Sequence, residues 1–265
     1  MLNRIKISKI ALNLGILVIG MTFGLAITAH AQTMKDVFQP GEQLVYNVKY
    51  GFIKLGTVVI ETGPTTSDGK INTRMRFWTA DVPFLNAKST VTDQVRMKDL
   101  MLTKFSEKAE NGSDVTNKQI LYDPASKTLT YSDDKTSSEV QKNIEPFDDA
   151  LTLLFAMRSW SGAVGHKYVF EMRTKDGPKP TTITFTDQIS NEQVAALDDK
   201  EVRTRVLLGN ADMGSSAPLG ASGDFTAYVS DDNAAVPVRI DMKIAVGSIS
   251  LTLDKIKRHD WTAAK

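Results

Sequence analysis

The clearest pattern in the chain is alternation. From Val236 to Val246 the apolar residues fall on even numbers, with Arg239, Asp241 and Lys243 between them. After Gly247 the phase reverses, and Ile249, Leu251 and Leu253 are odd. A strand turns alternate side chains to opposite faces, so the reversal needs a turn or a bulge. The stretch Ile53 to Thr62 (IKLGTVVIET) echoes Ile244 to Leu253 (IAVGSISLTL). The echo favours the turn, with both copies leading from one strand into another through a glycine. Arg239, Asp241 and Lys243 then form a solvated outer face.

Similar short runs fill the chain. Leu44 to Tyr50, Thr57 to Thr62, Ile71 to Thr79, Ser89 to Met97, Leu102 to Lys108, Lys118 to Leu121 and Thr128 to Ser132 read as strands. So do Lys167 to Arg173, Thr181 to Asp187, Glu201 to Leu208 and Phe225 to Ser230. Turn chemistry such as Gly63-Pro64, Ser67-Asp68-Gly69 and Asp123-Pro124 separates them. The spacing predicts a mostly β fold, an antiparallel barrel or half-barrel. One segment differs. Over 146–160 Leu151, Leu154, Phe155 and Arg158 recur at helical spacing, with Asp148 and Asp149 in the first turn and Arg158 in the last. That helix is too apolar for a free surface and packs centrally on the sheet. Asp133 to Asn143 reads as a polar loop. The stretch 209–223 has four glycines and no periodicity, and reads as a loop insertion.

The first segment stands apart from this pattern. Arg4, Lys6 and Lys9 precede the apolar run Ile10 to Ile27, and Ala29-His30-Ala31 is a small-residue cleavage site. Residues 1–31 therefore read as a signal peptide cut after Ala31, with retention as a membrane anchor the rival reading. The chain has no cysteine, which closes the lipoprotein route and leaves the exported domain, 32–265, without disulfides. Removing the leader takes the formal charge from +1 to about −2, against a nucleic-acid binder. Periplasmic location follows, with membrane contact only through the leader or in passing.

Candidate chemistry is sparse. His166 and His259 are the histidines after the leader, and neither has metal-ligand spacing. Asp133-Asp134, Asp148-Asp149, Asp198-Asp199 and Asp231-Asp232 read first as turn and helix-start residues. No catalytic residue, metal site or cofactor is assigned. Aromatics are the better lead. Phe77, Trp78, Phe84, Phe147, Phe155 and Trp160 are candidates to line an apolar interior, although ordinary core packing is the first explanation for them.

The ends of the chain carry a family pattern: Phe38 to Tyr46 (FQPGEQLVY) with Gly51 to Gly56 (GFIKLG), and Tyr228 to Asp232, Val236 to Ile240 and Val246 to Ile249. Between them lie Pro146 to Leu151 and Arg158. Together these resemble the bacterial exported family catalogued as domain of unknown function 3108. The resemblance implies an exported, mostly β protein with no catalytic residues to carry over. In outline it is also similar to the periplasmic lipoprotein carriers, whose half-barrel cradles acyl chains. Three functions stay open at this point. One is a non-enzymatic binding protein for a lipid, acyl chain or lipidated partner. The second is a solid-core envelope interaction or assembly protein. The third is a hydrolase using two carboxylates.

Overall fold

Alternation becomes a single antiparallel sheet in the computed structural model, which describes residues 34–80, 86–134, 138–159, 161, 163–174, 177–211, 223–244, 246–259 and 261–263. A first run of strands comprises β1 (Gln43–Tyr50), β2 (Ile53–Thr65), β3 (Lys70–Thr79), β4 (Ala87–Arg96), β5 (Met101–Asn111), β6 (Asp114–Asp123), β7 (Thr128–Asp133) and β8 (Glu139–Gln141). A second run comprises β9 (Lys167–Thr174), β10 (Gly177–Val194), β11 (Lys200–Ala211), β12 (Gly223–Ser230), β13 (Pro237–Lys243) and β14 (Ser248–Lys257). The helix α1 (Met34–Val37) precedes the first run, and α2 (Ala150–Ser159) joins the two.

Strand order explains the shape. Each strand pairs with its sequence neighbours except across the step from β8 to β9, and β14 returns to pair with β1. The sheet is therefore continuous through the ends of the chain and open at one seam, between β8 and β9. The segment leading into α2 straps that seam. The Ile144 N–H donates to the Lys127 carbonyl, at 3.0 Å, and the Asp148 N–H to the Glu171 carbonyl of β9, at 2.8 Å. Tyr122 donates its hydroxyl to the Ile144 carbonyl and sets its ring edge-on to Phe147.

The two ends of the curled sheet differ. One, here the floor, carries α1, α2 and the β2–β3, β4–β5, β10–β11 and β12–β13 turns. The other, the rim, carries the β1–β2, β5–β6 and β13–β14 turns among those described. A contiguous core joins Leu44, Ile60, Ile71, Phe105, Leu129, Ile183, Phe225 and Ile240 of the sheet to Leu151, Leu154 and Phe155 of α2.

Several boundaries move. The helix begins at Ala150, not at 146, because Asp148 is extended and bonded to β9 while Asp149 caps the helix. The Asp149 carboxylate accepts from the Thr152 N–H, at 2.8 Å, and the Thr152 hydroxyl accepts from the Asp149 N–H, at 2.7 Å, a reciprocal capping box. The insertion expected over 209–223 is narrower, since β11 runs to Ala211 and pairs it with Gly223; residues 212–222 lie outside the described residues. The expected strand ending at Asp187 continues to Val194 through an irregularity between Phe185 and Ile189.

The two echoing glycines part company. Gly247 lies in a true turn, at φ +80°, with the Ile244 N–H donating to its carbonyl at 3.2 Å. Gly56 is inside β2. The turn on its side is Gly51-Phe52, and pairing with β1 slips between Val48 and Lys49 so that Leu55 bulges.

Candidate functional site

The interior holds a buried polar row. Thr62 stands opposite Thr73, and Thr73 opposite Asp93, so all three share the inner face of β2, β3 and β4. Glu42 extends the row past the start of β1, since its carbonyl accepts from the Thr62 N–H. All four are buried.

Helix α2 lies along this row. Arg158 meets Glu42 with two hydrogen bonds, 2.7 and 3.0 Å long, and donates twice more to the Ala234 carbonyl. Arg258 donates to Oε2 of the same carboxylate, which Arg158 also bonds, and to the Asp36 carbonyl. At the opposite end Asp149 faces Asp93. Nine residues of helix from Asp149 to Arg158 span about 13.5 Å. Three strand spacings from Glu42 to Asp93 span about 14 Å. The helix crosses the strands at the floor and is clamped at each end by an ionisable pair. This explains why Leu151 to Ser159 are buried without exception although Thr152, Arg158 and Ser159 are polar.

Electrostatics differ at the two clamps. Burial first, then the neighbouring Asp149 carboxylate, push the Asp93 carboxyl well above the usual carboxylate range, which favours its neutral form. Burial beside Asp149 pushes Asp148 up to about 7. Burial raises the Tyr46 phenol, whose hydroxyl donates to the Pro237 carbonyl at 2.9 Å.

Among the described residues, three of the predicted aromatic candidates, Phe77, Phe147 and Phe155, join the packed core and a fourth, Trp78, does not. Phe155 stacks on Phe38 with ring centroids 4.4 Å apart, and Phe147 meets Tyr122. Phe77 packs on the core nearer the rim, against Gly56. Trp78, the next residue on the strand, takes the opposite face and is half exposed. Phe84, Trp160 and the cleavage position Ala31 lie outside the described residues. Surface grooves among the described residues are lined mainly by polar and charged side chains. One of about 540 Å³ is lined by Glu61, Asn72, Arg74 and Lys257 beside the polar row.

Sequence reasoning passed over Asp93, Thr62 and Thr73. The signal was present: Asp93 shares a phase with Val91 and Val95, and Thr73 with Ile71 and Met75. A polar residue in the apolar phase marks a buried polar group. Also missed was the rim, where Phe52 is 97% exposed and Val246 74%.

The sequence from Val45 to Asp254 matches a known family, described as Protein of unknown function (DUF3108). The chain belongs to that family. No curated protein sequence matches this DUF3108 chain. Among solved structures it is similar to a β-barrel-like protein of domain of unknown function DUF1849 from Brucella abortus, with a TM-score of 0.57 at 11% identity. The match covers 85% of the DUF3108 chain and 100% of the other, and it shows the fold. Among the described residues of the DUF3108 protein no helix is long and apolar enough to cross a membrane.

Proposed function

We propose that this protein is a non-enzymatic interaction protein of the bacterial envelope, exported by its leader and docking through the rim of a solid-cored barrel. The observation that carries the reading is the contrast between the two ends. The floor is stopped by α2 on its polar row, while the rim presents Phe52 and Val246 to solvent. Export is supported by the basic, apolar and small-residue sequence of residues 1–31. Against hydrolysis, Asp93 is 1% exposed and faces the helix cap, where no polymer reaches it.

Holding an acyl chain inside is the second reading. It requires α2 to leave the floor, and the observation in its favour is that ionisable pairs, not apolar contacts alone, hold the helix.

Cell fractionation tests the docking reading. Wild-type protein is expected with the envelope fraction, and the F52S/V246S variant in the soluble periplasmic fraction. An unchanged distribution of the variant overturns it. Saturable one-to-one uptake of a fluorescent fatty acid by the purified protein favours the second reading.

A further inference from the structure

Two neighbouring hairpin ends form one body at the rim. Strands β1 and β14 are paired, with Tyr50 opposite Ile249, so the β1–β2 and β13–β14 turns lie side by side. The Tyr50 ring covers Gly247, and a Cβ there would stand 3.1 Å from it. This contact fixes one tip against the other. On the joint tip Phe52 and Val246 are the most exposed large apolar side chains, with Ile53 at 44% and Tyr50 at 38%. Folding gains almost nothing from Phe52 in that position, since its ring stays in water.

Charge adds direction. The segments KYGFIKLG (49–56) and KIAVGS (243–248) contain Lys49, Lys54 and Lys243 and no acid. Lys243 also reaches the exposed Asp224, at 2.9 Å. Four apolar side chains on a convex tip offer about 500 Å² at most. A stable protein partner needs about 800 Å² on each side. A bilayer interface asks for less: a few aromatic and aliphatic groups at headgroup depth, with lysines over anionic lipid.

We infer that the double tip at Phe52 and Val246 inserts into the headgroup region of an anionic phospholipid bilayer. The inference rests on the docking role proposed above and names its partner. Tyr50, part exposed beside Gly247, adds an amphipathic ring of the kind enriched at membrane interfaces. Lys54 stands beside the tip as a counter-charge to lipid phosphate. Insertion is shallow and reversible, because two turns carry it.

The test is sedimentation of the purified protein, lacking its leader, with vesicles. Vesicles of phosphatidylethanolamine and phosphatidylglycerol are compared with pure phosphatidylcholine. Binding is expected to the anionic vesicles and to weaken with salt. F52S/V246S should bind at least about tenfold more weakly, and K54E more than about fivefold more weakly. All these positions are exposed, so melting curves should match wild type. An F52W variant should show a blue-shifted tryptophan emission with anionic vesicles. Absence of binding to anionic vesicles at low salt, or equal binding by F52S/V246S, overturns the inference. If vesicles fail to bind while F52S/V246S still leaves the envelope fraction, the rim docks on a protein and the broader proposal stands. If fractionation is also indifferent to F52S/V246S, both fall.

Discussion

Glu42 and Arg158 lie 116 residues apart and meet through both carboxylate oxygens, with their side chains 1% and 0% exposed. The pair ties the last turn of α2 to the start of β1, and Arg258 ties the end of the chain to the same carboxylate. Three distant segments are thereby held by one buried group.

The order of damage at this group follows from what each substitution leaves behind. E42A strands two guanidinium groups and should be the worst, at about 3–5 kcal/mol. R158M leaves Glu42 paired with Arg258 and should cost less, although the Ala234 carbonyl loses two donors. The triple variant E42L/R158M/R258M removes every charge together and should recover part of the loss, since a buried ion pair is often matched by apolar packing. Urea unfolding of the four proteins checks the order. A triple variant worse than E42A would show that the network contributes more than its desolvation costs.

Gly56 and Gly247 occupy matching places in two similar segments, and substitution should separate them. A Cβ at Gly56 would lie 2.5 Å from the Trp78 carbonyl oxygen, so G56A must push β2 away from β3. The expected cost is about 3 kcal/mol. At Gly247 the obstacles are a positive φ and a movable Tyr50 ring, and G247A should cost about 1–2 kcal/mol. Thermal melts read the difference. Similar melting points would place the two glycines in equivalent settings after all.

These two residues also mark how far the sequence carries. Side-chain periodicity depends on the local backbone, so the strands and the turn at Gly247 are legible in a period of two and the central helix in a spacing of three and four. The setting of Gly56 depends on Trp78, twenty-two residues on and across a strand pair, which no local pattern encodes. The helix start is a similar case. Asp148 and Asp149 look alike in sequence, yet a hydrogen bond to Glu171 draws the first into the sheet and leaves the second to cap. Register, too, comes only with the fold. Thr62, Thr73 and Asp93 are separate polar residues in three strands until pairing lines them up beneath α2. The same alternation separates two candidate aromatics: Phe77 and Trp78 are adjacent on one strand and therefore on opposite faces.

The last prediction concerns pH. Asp93 and Asp148 both bind a proton more tightly folded than unfolded, because burial and the Asp149 charge disfavour their ionised forms. Their unfolded carboxyls titrate near pH 4. Below that value both states are protonated and the stability linked to these groups is fully present. As pH rises the unfolded chain sheds these protons first, so stability falls with pH and, for Asp148, is lost through about pH 7. The melting temperature should therefore decline between about pH 4 and pH 7, opposite to the trend set by a salt-bridged carboxylate. D93N keeps the shape and a donor for Asp149 while removing the titration, so it should be more stable than wild type at pH 8 and show a shallower decline. D149A loses a helix cap worth about 1 kcal/mol, but it also removes the charge that opposes ionisation of Asp93 and Asp148. Its penalty should shrink as pH rises. Melting curves of the three proteins from pH 4 to pH 8 measure this directly. A wild-type stability that climbs with pH, or a D93N profile parallel to wild type, would mean that the floor of the barrel does not hold its carboxyls protonated.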